Sequence, residues 1–342
     1  MTLEAFETKE RRGYPTPPMT TTNQTSDRVL GKYEVLAHLG TTGLAAVYRA
    51  RDASGNIVAL KVLHAYFSKE VQLVQRFVQA IEQVKRLQHP NIVAVHGVES
   101  EGETTALVME YVPWPTLRAR RERLLPFGET LTILRQVAAA LDYAHQQGVV
   151  HRDLRPSNVF YDQETGQARV SDFGTISLVE GGHALMRTSV NTPNPGYAAP
   201  EQAQYQRPTP QNDVYSLGAL AYELLTGERP FDALSPHTVL SRQLNSSPIA
   251  PSVVVERVPP AVDNVILKAL GRDPQERFAT CTALVEALEE AVGPLPVHVP
   301  GATMLPAMPV AEPRLGEAVG ARESEETRVV CPICGTGNAA SS

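Results

Sequence analysis

Residues 149–174, VVHRDLRPSNVFYDQETGQARVSDFG, constrain this chain more than any other stretch. The apolar pair Val149–Val150 runs into His151-Arg152-Asp153, and Asn158 follows five positions after Asp153. A polar turn, Asp162 to Gly166, separates two β-like runs, Asn158–Tyr161 and Ala168–Val170, and the second run ends in Asp172-Phe173-Gly174. This layout is a hairpin that places two acids and an amide at the ends of neighbouring strands, facing one point.

A chain of 342 residues has room for one large two-lobed domain or for two ordinary ones. Its hydrophobic content of 42% is enough to bury a sizeable core. The balance of 31 Lys+Arg against 37 Asp+Glu gives a net charge of −6, so no global basic field points to nucleic acid. No apolar run approaches the roughly 20 residues that span a bilayer. The first residues lack the apolar stretch of a secretory signal, and a cytoplasmic protein is expected. Three cysteines, two of them close together near the C-terminus, make no disulfide framework.

Taken in order, residues 1–31 are rich in Thr, Pro and charge and read as a disordered leader. Order is expected from Tyr33. The run Tyr33–Leu36, the turn Gly40-Thr41-Thr42-Gly43 and the run Ala46–Ala50 read as strand, glycine turn, strand. Ile57 to Leu63 is a buried strand, apolar except for Lys61. The spacing of Val71, Val74, Val78, Ile81 and Val84 predicts a helix over 69–88, stopped by His89-Pro90. Ile92–Val95 and Thr105–Val112 are the next β-like runs, and Pro113-Trp114-Pro115 closes this part. Thr130–Gln147 then carries Leu131, Leu134, Ala138 and Leu141 on one stripe, with Gly148 as its stop. Asp213–Thr226 repeats the design with Val214, Leu217, Ala221 and Leu224 ahead of Gly227. Helices at Val262–Leu270 and Ala279–Ala291 follow. Residues 293–328, first Pro- and Ala-rich and then charged, read as a linker to a terminal Cys331-Pro332-Ile333-Cys334-Gly335.

HRDLRPSN followed by SDFG, in that order and spacing, resembles the catalytic core of bacterial Hanks-type serine/threonine protein kinases. The resemblance covers about residues 33–291 and implies an α+β, bilobal fold: a small β-rich lobe (32–112) and a larger helical lobe (113–292). It implies transfer of the ATP γ-phosphate to protein hydroxyls, a reaction that needs positioning and charge neutralisation more than covalent help. Asp153 would accept the substrate hydroxyl proton, with Asn158 and Asp172 holding magnesium through oxygen ligands. Arg155 stands where most such kinases carry a lysine that meets the γ-phosphate; it keeps the charge in a different geometry. Lys61, in Val58-Ala59-Leu60-Lys61, matches the lysine on the α- and β-phosphates. Ala59 shares its face and, with Val47 and Phe160, would line the adenine pocket. Met109-Glu110-Tyr111-Val112 resembles the gatekeeper and hinge, and Leu39, Gly40, Thr41, Thr42 and Gly43 the loop over the phosphates.

Further along, Gly196-Tyr197-Ala198-Ala199-Pro200-Glu201 is similar to the end of the family's activation segment, with Thr188, Ser189 and Thr192 as candidate phosphorylation sites and Arg152 as a phosphate receiver. Glu201 would pair with Arg277, and Asp213 would brace the catalytic-loop backbone. Pro156-Ser157 and Thr192 favour Ser/Thr over Tyr as acceptor. CPICG is half of a zinc ribbon, and tetrahedral zinc wants four ligands; Cys281 sits in a helical pattern as a core residue.

Two departures put the rate in question. The glycine pattern G-x-G-x-x-G falls on Gly40, Thr42 and Ala45, leaving one of its three glycines; the Thr42 hydroxyl is a substitute phosphate ligand. The helix glutamate that usually pairs with the strand lysine falls on Ala80, and Glu82 lies about 200° round the helix. Lys61 is then expected to turn to Asp172, or the helix to be shifted. Two readings stand: an active kinase, slow or dependent on an activating partner or dimer, and a pseudokinase scaffold with the same fold.

Overall fold

Short apolar runs separated by turns fold the first third of the chain into one antiparallel sheet. Its strands are β1 (Arg28–Val29), β2 (Tyr33–Thr41), β3 (Ala45–Arg51), β4 (Ile57–Leu63), β5 (Val95–Glu101) and β6 (Thr104–Glu110), in the spatial order β1-β2-β3-β4-β6-β5. The computed structural model describes residues 28–120, 124–174, 195–204, 206–233 and 235–293, all within the first of two units of the chain, Met1–Leu295. The expectations for Thr188, Ser189, Thr192, most of the leader, nearly all of the linker and the Cys331/Cys334 knuckle lie outside these residues.

A strand precedes the start expected at Tyr33: Arg28 and Val29 pair with Glu34 and Tyr33. A two-residue strand carries no period, and nothing in its composition marks it. Central β4 is buried over Val58–Lys61, which is why it reads as a continuous apolar run.

Between β4 and β5 lie α1 (Ala65–Ser68) and α2 (Val71–Val84). Helix α2 is shorter than the expected 69–88; Ile81 and Val84 of the expected stripe are buried, but its first part is rotated away from Val71, Val74 and Val78. Leu73, Phe77, Ile81 and Val84 face inward, while Val71 is 66% exposed. Leu73 and Phe77 offer more apolar area than the valines, and that area sets the rotation. Ile92–Val95 is likewise corrected: Ile92 makes a single parallel bridge to Val170, and the strand starts at Val95. Strand β5 is an edge strand with a largely polar, partly exposed sequence, so its pattern is weak.

Among the described residues the second lobe is helical apart from one hairpin. Helix α3 (Phe127–Gln146) starts one turn before Thr130, buries Leu131, Leu134, Ala138 and Leu141, and ends ahead of Gly148 at φ 76°. The hairpin is β7 (Val159–Asp162) with β8 (Gln167–Val170). There follow α4 (Pro200–Ala203), α5 (Pro210–Thr226), α6 (Pro236–Asn245), α7 (Pro251–Val254), α8 (Pro260–Ala269) and α9 (Cys281–Val292). Every residue of α5 from Asn212 to Glu223 is buried. A Cβ on Gly218 would stand 2.7 Å from the Ala269 Cβ, so only glycine lets α5 and α8 approach this closely. Cys281 is fully buried, as its helical position implies. Glu201 and Arg277 form the expected buried pair through Nη1–Oε1 at 2.7 Å and Nη2–Oε2 at 2.8 Å. Asn212 Nδ2 also donates to Glu201, and the guanidinium lies 5.0 Å from the Tyr215 ring centroid. Short helices α6 and α7, rich in polar residues and proline, have no counterpart in the sequence reading.

Candidate active site

The loop from His151 to Asn158 leaves α3 and enters β7, and it is held from below by one carboxylate. Asp213, in the first turn of α5, accepts from the backbone N–H of His151 and of Arg152, both at 2.8 Å. Burial pushes its carboxyl up, but hydrogen bonds from His145 and the backbone more than cancel this and hold it below the ordinary range. Arg152 adopts φ 70°, a left-handed conformation that costs a residue with a Cβ about 1–2 kcal/mol. Two contacts fix it there: Asp213 on its N–H, and Gln202 Nε2 donating to its carbonyl at 2.9 Å. Gln202 also accepts from Ala199 N–H, so the chain after the activation segment is tied to the catalytic loop. Sequence reasoning missed Gln202; its place directly after Glu201 was the only signal.

His151 is fully buried and links the loop to the second acid. Its Nε2 lies 2.9 Å from the Ser171 carbonyl, which can only accept, so that nitrogen carries the hydrogen. Its Nδ1 accepts from Asp153 N–H, and its ring packs 4.5 Å from the Phe173 ring.

The candidate site residues then come together. Asn158 Nδ2 donates to the Asp153 carbonyl at 2.8 Å and to Asp153 Oδ2 at 3.2 Å, which aims the carboxylate. Arg155 Nε is 3.4 Å from the same oxygen. Burial raises the Asp153 carboxyl above its ordinary value, partly opposed by Arg155. Lys61, buried in β4, places Nζ 2.8 Å from Asp172 Oδ1, the pairing expected where Ala80 offers no carboxylate. Asp172 has φ 69°; burial pushes its carboxyl up, and the Lys61 charge and hydrogen bond more than cancel that and hold it low. Ala80 is half-buried, whereas Glu82 is exposed and sits 4.0 Å from Lys85, facing elsewhere as expected.

These groups open into a cleft of about 840 Å³ between the lobes. Strand register builds its roof, with Val47 opposite Lys61 and Ala59 opposite Met109. Phe160 lies on the far side, in a bridge with Thr116. Leu39, Gly40, Thr41, Thr42, Gly43, Glu110 and Val112 line the cleft too, together with Asp153, Arg155, Asn158 and Asp172. Val93, Trp114, Pro115 and Thr116 are lining residues that the motifs did not include. The Pro-Trp-Pro run after the hinge was the available signal. The Glu110 side chain is engaged by Arg169, whose Nη2 donates to its Oε2 at 2.9 Å and to the Ile92 carbonyl at 3.1 Å. The Thr42 hydroxyl, expected as a phosphate ligand, instead donates to the Ala45 carbonyl at 3.1 Å. A short polar side chain next to free backbone groups satisfies them locally.

The protein kinase domain family matches residues 33–288. The chain is 36% identical over 267 residues to the serine/threonine-protein kinase Pkn1 of Myxococcus xanthus, covering 77% of this chain and 38% of that one. It is 31% identical to PrkC of Bacillus subtilis (88% and 48% covered) and 35% identical to PknB of Mycobacterium tuberculosis (78% and 43%). It therefore spans less than half the length of these curated relatives. Among solved structures, the kinase domain of Mycobacterium tuberculosis PknI superposes with a TM-score of 0.64 at 28% identity, over 80% of this chain and all of that one.

Proposed function

We propose, from the premise that this chain belongs to the protein kinase domain family, that it transfers the ATP γ-phosphate to Ser or Thr hydroxyls of other proteins. The observation that supports this most directly is the convergence of Asp153, Asn158, Asp172 and Lys61 in one cleft. The relatives are named serine/threonine kinases, which supports the acceptor class.

In this reading adenine enters between Ala59, Val47 and Phe160 and meets the backbone of Met109–Val112. Lys61 sits between the phosphates and Asp172. The Asp172 carboxylate and Asn158 Oδ1 are hard oxygen donors that fit magnesium, the ion this family uses, which neutralises charge developing on the phosphates. Asp153, held by Asn158 and with its carboxyl raised by burial, receives the proton of the attacking hydroxyl. Arg155, beside Asp153, neutralises charge on the transferred group. An activating partner or a second copy that seats α2 completes the reading, because Ala80 gives Lys61 no carboxylate from that helix.

Incubation with Mg and γ-labelled ATP tests it, alongside Asp153→Asn and Lys61→Met. Label on the wild type and on neither variant is the expected result. No label, with nucleotide still raising the melting temperature, replaces the proposal with a pseudokinase.

A further inference from the structure

The loop over the cleft is closed on itself by groups foreign to the family's glycine pattern. Thr42, Gly43 and Leu44 connect β2 to β3. The Thr42 hydroxyl donates to the Ala45 carbonyl at 3.1 Å and accepts from the N–H groups of Ala45 at 3.2 Å and Leu44 at 3.4 Å. Thr42 N–H adds a fourth bond, to the Ala45 carbonyl at 2.8 Å. His64, directly after β4, grips the loop from the other side: its N–H donates to the Leu44 carbonyl at 3.0 Å. Its Nε2 lies 2.9 Å from the Thr42 carbonyl and must be the protonated nitrogen, since the carbonyl only accepts. Crowding is not what shapes the loop, because a Cβ on Gly40 or Gly43 would meet nothing within 4 Å.

Backbone N–H groups in a tight turn are the usual cradle for a phosphate. Here two of them, on Leu44 and Ala45, are directed to a hydroxyl inside the loop. We propose that Thr42 and His64 are positioning residues that latch the loop and lower its affinity for nucleotide phosphates; this rests on the reading of the cleft as a nucleotide site. The loop donates to phosphate only after the Thr42 hydroxyl lets go, so apparent affinity is reduced by the fraction of molecules with the latch open. Thr42 thus replaces a glycine in position and opposes it in effect.

Thr42→Val keeps the β-branched shape and removes the hydroxyl, Thr42→Ser keeps the hydroxyl, and His64→Ala removes the imidazole bond to the Thr42 carbonyl while keeping the backbone bond to Leu44. In the full chain with Mg-ATP, Thr42→Val is expected to lower KM and the calorimetric Kd about fivefold, the factor one net hydrogen bond is worth, while kcat moves far less. His64→Ala shifts both constants the same way. A KM that rises or stays in Thr42→Val overturns the proposal. Amide exchange without nucleotide gives a readout independent of catalysis. Leu44 and Ala45 should exchange faster in Thr42→Val than in wild type, with protection kept in Thr42→Ser. Equal exchange in Thr42→Val and wild type removes the latch. If no variant binds ATP but exchange responds as expected, the nucleotide reading of the cleft fails while the latch itself stands.

Discussion

Lys61 and Asp172 settle at the residue scale a question that spacing left open. A lysine in an apolar strand needs a counter-charge to offset desolvation, and with Ala80 on α2 the nearest solution is Asp172, the proposed magnesium ligand, at 2.8 Å. In the proposed reaction that one carboxylate would serve two cations, the ammonium and magnesium. Ala80→Glu supplies a second carboxylate from α2 and should release Asp172 for the metal. The expected outcome is a several-fold rise in kcat with little change in thermal stability, measured on the same generic protein substrate as the wild type. An unchanged kcat in an already fast enzyme discards a limiting role for the missing ion pair. Asp153, Asn158, Asp172 and Lys61 were all legible through the resemblance to protein kinases, whose motifs fix their order and spacing. Gln202 and the Thr42 hydroxyl were not, because a glutamine or a threonine has many local uses and only the fold selects one.

At the scale of elements, α2 and the Asp172-Phe173-Gly174 turn are mated surfaces. Gly174 has φ 73°, and a Cβ there would stand 2.9 Å from Val84 Cγ2 and 3.6 Å from Ile81 Cδ1. Gly174→Ala therefore combines a left-handed backbone with a forced shift of the last turn of α2. It should lower stability by about 1–3 kcal/mol, visible as a lower denaturant midpoint, and should reduce turnover because α2 and the turn separate. A midpoint equal to wild type would show that α2 moves aside freely. Long, periodic elements such as α3 were readable to within a turn at each end. The rotation of α2 was not, since two apolar stripes compete on that helix and the larger side chains of Leu73 and Phe77 take the core.

Across the whole molecule, three helices of the second lobe meet at His145. It stands between Asp213 on α5, at 2.7 Å, and Asp142, whose oxygens accept from the N–H groups of Cys281 and Thr282 that open α9. Burial alone would lower the imidazole, but the Asp142 carboxylate 3.7 Å away and the bond to Asp213 overcome it and raise its pKa from 6.5 to about 9. The folded state then holds a proton that the unfolded chain releases, so this contribution is complete below pH 6.5 and is lost as pH rises through about 9. Asp142, held at about 2, contributes above its unfolded value of 3.8 and loses that contribution as pH falls towards 2. Melting temperature should therefore decline on the alkaline side over this window, and His145→Gln should flatten that limb; an unchanged slope in the variant assigns the limb to other groups. Sequence alone determined the bilobal α+β class and the candidate site and hinge residues, because motifs that resemble those of protein kinases carry them in a fixed order and spacing. Tertiary structure alone decided the face α2 buries, the partner Lys61 takes 111 positions away and the closure of the loop by Thr42 and His64. Those outcomes depend on which surfaces win burial and which polar groups meet once the chain has folded, and no local pattern carries that information.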